Sequence, residues 1–212
     1  ARTELIENYP GYPQGVGGME LMMSFMEQAT RFGMELKTEE VKSVNFSARD
    51  KTLETENGSY SAPAVIIATG ARPRFLDVPG EQEFHGRGVS YCATCDGAFF
   101  REKKVVVVGG GDSALEEALF LTKYAREVVL VHRRDKLRAA KILQERGQKN
   151  PKLRFILNTV IEQINGGAKG VEQVTLRNVQ TGEVQEEPTD GVFVFVGNMP
   201  NTQFLTGIIE LT

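Results

Sequence analysis

The chain is expected to fold as an α/β protein around a parallel sheet, and three observations carry that expectation. The run Val105-Val106-Val107-Val108 reads as a strand buried on both faces. It enters Gly109-Gly110-Gly111 and then a helical pattern from Ala114 to about Ala125, after which residues 128–131 form a second apolar run at the spacing of a crossover. Further apolar runs at 153–157, 171–176 and 192–196 supply more strands, with Asn165-Gly166-Gly167 and Thr181-Gly182 as turns.

The elements before this region follow a different pattern. Met19, Met22, Met23, Met26 and Ala29 recur at helical spacing and Gly33 follows at a capping position, so an amphipathic helix is expected with its methionines packed in a core, the alternative being a soft binding surface. Short alternating runs at 41–46 and 51–55, the turn signal Asn57-Gly58, and a further run from Tyr60 read as a small antiparallel meander. Ala64-Val65-Ile66-Ile67-Ala68 reads as a buried strand that ends at Thr69-Gly70-Ala71, with Pro73 and Pro79 marking a linker. No internal repeat or low-complexity segment interrupts the pattern.

Composition narrows the function classes. The 212 residues, 41% of them hydrophobic, suffice for one large domain or two small ones. With 25 basic and 28 acidic side chains the net charge is -3, which offers no electrostatic drive toward nucleic acid or an anionic membrane. No apolar run approaches the roughly 20 residues of a membrane span. Ala1-Arg2-Thr3-Glu4 lacks the charged-then-apolar pattern of a signal peptide, so the chain reads as cytoplasmic.

Gly109-x-Gly111-x-x-Ala114 sits between strand and helix, where a dinucleotide fingerprint requires it. The first glycine permits the turn, the second lets the backbone approach a pyrophosphate, and Ala114 allows close packing of helix on strand. The free amides at the helix start favour phosphate charge. His132-Arg133-Arg134-Asp135-Lys136-Leu137-Arg138 begins 23 residues beyond the first glycine, where an NAD site usually places an acid. A basic cluster there suits a 2′-phosphate and favours NADP(H), each charge-assisted contact contributing roughly 1.5 to 3 kcal/mol. The bland alternative is a solvated basic loop.

The only two cysteines stand in Cys92-Ala93-Thr94-Cys95-Asp96-Gly97. A Cys-x-x-Cys pair with no second pair and only two distant histidines, His85 and His132, argues for a redox-active disulfide rather than structural zinc, and no metal is expected. Asp96 reads either as a general acid for a leaving thiolate or as a helix or turn cap.

Taken together, these motifs make the chain resemble the low-molecular-weight thioredoxin reductases over essentially its whole length. Cys92 to Gly97, the Gly109-Gly110-Gly111 turn, Glu116-Glu117-Ala118-Leu119 and His132 through Arg138 occur in the family's order and spacing. Asn8-Tyr9-Pro10-Gly11 and Ala68-Thr69-Gly70 resemble segments of its flavin domain, and Gly197-Asn198-Met199-Pro200-Asn201-Thr202 the return to that domain. The resemblance implies a Rossmann-like NADPH-binding domain at 76–201 carrying the Cys-x-x-Cys pair, inserted in a partial FAD-binding domain of the two-dinucleotide-binding flavoprotein type. The flavin part would comprise 1–75, with 202–212 as the start of the return. The family's N-terminal Gly-x-Gly-x-x-Gly turn and C-terminal Gly-Asp segment are not in this sequence, so the resemblance implies a middle piece of the enzyme.

By the same resemblance, NADPH reduces FAD, FAD reduces the Cys92–Cys95 disulfide, and the dithiol reduces thioredoxin. Cys95 faces the flavin, Cys92 attacks thioredoxin, and Asp96 serves as acid and base. The nucleotide residues it implies are Gly109, Gly110, Gly111, Asp112, Ser113, Ala114 and Glu116, joined by His132, Arg133, Arg134 and Arg138. Ala68, Thr69 and Gly70 are implied for FAD. The complete enzyme would be a homodimer whose domains rotate about hinges at 72–79 and 197–202. Two alternatives stand beside this reading: a related flavoprotein reductase with another acceptor such as ferredoxin, and a non-catalytic NADP-binding module.

Overall fold

The structure is a computed structural model, and it describes residues 5–210; the expectations resting on Ala1 to Glu4 and on Thr212 lie outside these residues. Two compact units are present. One comprises the residues up to Met19 with Pro73–Gly197, the other Glu20–Arg72 with the residues from Asn198 on.

In chain order, β1 (Leu5–Ile6) pairs antiparallel with β2 (Val16–Gly17), and α1 spans Gly18–Arg31. Gly33, in the left-handed region, ends α1: its N–H donates to Thr30 O and that of Met34 to Ala29 O, the paired bonds of a Schellman cap. Next, β3 (Val41–Asn45), β4 (Lys51–Thr55) and β5 (Ser59–Ala62) form the expected antiparallel meander. Short β6 (Ala71–Pro73) pairs with the late strand β15 (Asn198–Pro200).

The larger unit is built on a five-stranded sheet. Its strands are β7 (Val89–Ser90), β8 (Lys104–Gly109), β9 (Glu127–Val131), β10 (Leu153–Ile156) and β14 (Gly191–Phe195), parallel throughout and ordered β10-β9-β8-β14-β7. The short helix α2 (Ala93–Asp96) follows β7, α3 (Asp112–Leu121) connects β8 to β9, and α4 (Lys141–Gln148) connects β9 to β10. An antiparallel sheet of β11 (Thr159–Gly167), β12 (Gly170–Asn178) and β13 (Val184–Pro188) completes it.

The valine run is buried because both faces of β8 are covered. Val105 and Val107 pack with Leu115, Ala118 and Leu121 of α3, whereas Val106 and Val108 pack with Ile164, Val174 and Leu176 of the antiparallel sheet. The alternation of a strand thus serves two cores. From β8 the chain winds outward to β9 and β10, while β14 lies on the other side of β8. The strand order therefore reverses between β8 and β14, which opens a crevice at their carboxyl ends.

Four expectations require correction. The stripe on α1 is not core: Met19 is 62% exposed, Met23 61%, and Met22 and Met26 are also exposed, while Leu21 is the side chain of this helix that is buried. Helical periodicity locates an apolar face but does not supply the surface that covers it. Residues 64–68 form no strand, and Ile66 is 93% exposed. No described strand pairs with that run, and an apolar run becomes a strand only when a neighbour takes its backbone hydrogen bonds. Asn165, Gly166 and Gly167 lie inside β11, opposite Gln173, Val171 and Gly170, because the hairpin turns two residues later. Finally, α3 ends at Leu121, short of Ala125, and residues 122–124 follow as turns.

Candidate functional site

The crevice between β8 and β14 carries the glycine turn. Gly109 has φ 153°, and a Cβ there would collide with Phe195 O and stand 2.6 Å from Ala114 Cβ, so only glycine lets the turn pass between strand and helix. At Gly110 a Cβ would overlap the His132 ring. Gly111, the N-cap of α3, faces open space, leaving room for a group to approach the backbone. Asp112 and Ser113 follow at the exposed start of α3, and Ala114 is fully buried. Asp112 Oδ1 accepts a hydrogen bond of 2.6 Å from Ala140 N, tying α3 to α4. Glu116 is exposed one turn further on, its carboxyl raised by desolvation and by Asp112 and Glu7.

A cleft of about 280 Å³ opens from this turn and is lined by Gly109, Gly110, His132, Arg133 and Arg138 on one side and by Phe75 and Thr159 among others on the rest. His132 is 6% exposed and its Nε2 has no hydrogen-bond partner. Burial holds its pKa below the ordinary histidine value, with the positive charges of Arg138 and Arg133 adding to the effect and backbone hydrogen bonds opposing it. Gly110 O accepts from both Arg138 N at 2.7 Å and Ala139 N at 3.1 Å, so the basic loop is pinned to the glycine turn. Arg133, Arg134 and Arg138 are exposed, and none of them forms an ion pair among the described residues. Free cations beside a buried, unpartnered imidazole and an open glycine turn fit a dinucleotide that carries an extra phosphate.

The sulfur pair lies in the same unit. Cys92 and Cys95 are joined in a disulfide, with Cα atoms 5.3 Å apart. Cys92 caps α2, accepting at its Sγ from Cys95 N at 3.2 Å, and Cys95 is the more exposed of the two. Asp96 makes no side-chain cap bond to the 3-10 turn that follows it, Gly97–Phe100. Its Oδ2 instead accepts from Ser90 Oγ at 2.6 Å.

Two residues here escaped sequence reasoning. Ser90 is a polar residue at the end of a buried strand, and that placement between Val89 and Tyr91 was the available signal. Glu117, the second of two adjacent glutamates, falls on the inner side of α3 and accepts from Ala93 N, beside Cys92. Burial raises its carboxyl pKa despite that hydrogen bond, and its Oε2 is buried without a partner. The same helix therefore begins at the glycine turn and touches the cysteine segment.

Ala68, Thr69 and Gly70 lie in the other unit. Thr69 Oγ1 donates to Asn201 O at 2.8 Å, Asn201 Nδ2 donates to Thr69 O at 3.1 Å, and Gly70 O accepts from Asn201 N at 2.9 Å. Three of their polar groups are thus engaged with Asn201. No parallel strand in that unit runs into a glycine turn among the described residues.

The sequence pattern of the pyridine nucleotide-disulphide oxidoreductase family matches residues 3–211. The chain is similar to the bifunctional thioredoxin reductase/thioredoxin of Mycobacterium leprae, 49% identical over 210 residues, covering 99% of this chain and 46% of that protein. It is similar to the thioredoxin reductase of Mycolicibacterium smegmatis at 49% identity, covering 99% of this chain and 67% of that one. Among solved structures, Lactococcus lactis thioredoxin reductase matches with TM-score 0.93 and 45% identity over 97% of this chain and 67% of that chain. The T. acidophilum thioredoxin reductase matches with TM-score 0.89 and 34% identity over 97% of this chain and 67% of that chain. The chain therefore spans about two thirds of three of these proteins and less than half of the mycobacterial fusion.

Proposed function

We propose that this chain, which belongs to the pyridine nucleotide-disulphide oxidoreductase family and within it to the thioredoxin reductases, is the nucleotide-binding and dithiol-bearing part of an NADPH-dependent reductase of thioredoxin. The observation that carries the reading is the Cys92–Cys95 disulfide beside a Ser90-held carboxylate, in the same unit as a glycine turn lined by unpaired arginines.

NADPH supplies a hydride when bound. The Gly109–Gly111 backbone and the start of α3 would hold its pyrophosphate, Asp112, Ser113, Ala114 and Glu116 would frame that helix end, and Arg133, Arg134 and Arg138 would hold the 2′-phosphate. His132, kept neutral by burial, offers Nε2 as a hydrogen-bonding atom in the cleft. FAD is the family's electron carrier, and the reading assigns its binding to the complete protein, with Ala68, Thr69 and Gly70 at the edge of that site.

At the sulfur pair, the Cys92 thiolate attacks one sulfur of the thioredoxin disulfide. The thioredoxin S–S bond breaks, a mixed disulfide forms, and the leaving thiolate takes a proton from the Asp96 carboxyl. Cys95 then passes its proton to the Asp96 carboxylate and attacks the Cys92 sulfur. The second thioredoxin thiolate leaves and takes that proton. Two electrons and two protons reach thioredoxin, and the Cys92–Cys95 disulfide is restored. A cytoplasmic homodimer, with domain rotation about 72–79 and 197–202, is the assembly that the reading carries over from the family.

The test is NADPH-driven reduction of thioredoxin by the complete protein with Cys92 replaced by serine. Near-total loss of thioredoxin reduction, with NADP+ binding retained, supports the reading. Retained activity would favour a non-catalytic nucleotide module or another route to the acceptor.

A further inference from the structure

We propose that Ser90 is a positioning residue for dithiol–disulfide exchange: its hydroxyl fixes the Asp96 carboxylate relative to the backbone of Cys92. The proposal deepens the reading above and rests on it, since it takes Cys92 as the attacking sulfur and Asp96 as the proton carrier.

Ser90 is 4% exposed at the end of β7, whose Val89 and Ser90 pair with Val192 and Phe193 in the interior of the unit. Its Oγ lies 2.6 Å from Asp96 Oδ2, 3.1 Å from Cys92 N and 3.2 Å from Cys92 O. A serine hydroxyl has one proton and two lone pairs. The proton goes to the carboxylate, because that contact is the shorter one and a charged acceptor makes the stronger bond. The Cys92 N–H then donates onto a lone pair of the same oxygen. One buried atom thus holds both the backbone of one cysteine and the carboxylate that follows the other.

That arrangement matters because, among the described residues, the Asp96 side chain has no other anchor of this kind. Its side chain makes no cap bond, and its backbone N–H is bonded to Cys92 O at 3.2 Å. Without Ser90 the carboxylate would be free to rotate about χ1 and χ2, and the proton would be delivered from a distribution of positions rather than one. Proton transfer by a placed side chain contributes about 10² to 10⁴ in rate, and a displacement of about 1 Å forfeits a large part of such a factor.

The experiment uses the 212-residue chain. The disulfide is reduced with excess dithiothreitol, the reductant is removed, and oxidised thioredoxin is mixed in while its reduction is followed over a single turnover. Wild type, Ser90→Ala, Ser90→Thr, Asp96→Asn and the double variant Ser90→Ala/Asp96→Asn are compared, with NADP+ binding as the check on folding. The expected result is a loss of roughly tenfold in the exchange rate for Ser90→Ala and recovery to within about threefold for Ser90→Thr, which keeps the hydroxyl. The double variant is expected to be no slower than Asp96→Asn alone, because both changes remove one function.

A Ser90→Ala variant that exchanges at the wild-type rate, while Asp96→Asn is slow, would overturn this proposal and leave the reductase reading standing. Multiplying effects in the double variant would likewise overturn it, since Ser90 would then act independently of Asp96. A wild-type dithiol that does not react with thioredoxin would overturn the reductase reading itself, and this proposal with it.

Discussion

The imidazole of His132 lies directly against the backbone of Gly110, so that the basic loop and the glycine turn share one packed contact. Gly110→Ala would drive a methyl group into that ring. By contrast, the neighbouring Gly111 faces open space, and only a bound ligand would meet a methyl group there. Gly111→Ala is therefore expected to leave the unfolding midpoint in urea unchanged while weakening NADP+ binding by tenfold or more, about 1.4 kcal/mol. Gly109→Ala should instead cost roughly 3 kcal/mol of stability, through the collision with Phe195 O. Urea unfolding and a calorimetric NADP+ titration of the three variants separate these outcomes.

Arg133 and Arg134 are expected to discriminate the cofactors. Replacing both with alanine should weaken NADP+ binding by at least tens-fold and leave NAD+ binding within a few-fold, from about 1.5 to 3 kcal/mol per contact. Equal loss for both nucleotides would show that the cluster does not read the 2′-phosphate.

Glu117 has a carboxyl pKa raised above 4.5, chiefly by burial, with the neighbouring Glu116 charge adding to it and the Ala93 N–H opposing it. The protonated form is therefore favoured in the folded state. Stability from this group is fully present below the unfolded value and is lost as pH rises through the raised one. Glu117→Gln keeps a carbonyl acceptor for Ala93 N–H and cannot ionise. The variant should match wild type in urea melts below pH 4.5 and become the more stable protein as pH rises above it.

Far from the crevice, the amino end of the sheet is tied by four charges. Lys104 bonds to Glu187, which accepts from Arg154 Nη2 at 2.8 Å, while Arg154 Nε reaches Glu127 at 3.2 Å. Burial pushes the Glu187 carboxyl up, but the hydrogen bonds from Lys104 and Arg154 outweigh it and hold the group below its usual range. Its contribution to stability is then present above 4.5 and lost as pH falls through the lowered value. Lys104→Met, which leaves Glu187 with one cation, should cost about 3 kcal/mol at neutral pH and less in acid, measured by urea melts.

Local sequence made the larger unit legible where one stretch of chain determines its own environment. Val105 to Val108, the glycines and the start of α3 are in contact through neighbours close in sequence, so strand, turn and helix could be read together. The antiparallel sheet was harder: β11 and β13 carry mixed polar and apolar residues, and the glycines of β11 imitate a turn. The methionines of α1 and the run at 64–68 show a different limit. Their spacing states that a face is apolar, whereas its burial depends on partners that spacing does not name. At the site, Cys92, Cys95 and the arginines declared themselves by residue type. Ser90 and Glu117 did not, because a serine in a strand and a glutamate in a helix acquire meaning only from the side chain or backbone N–H that the fold brings to them.

The most direct measurement asks which sulfur meets thioredoxin. The Cys95→Ser chain is mixed with a thioredoxin that lacks its resolving cysteine and whose remaining thiol is activated as an aromatic mixed disulfide; the adduct is then mapped by mass spectrometry. The account predicts a one-to-one covalent complex through Cys92, and no complex when the Cys92→Ser chain is used instead. A complex through Cys95 in the Cys92→Ser chain, or none in either case, would contradict it.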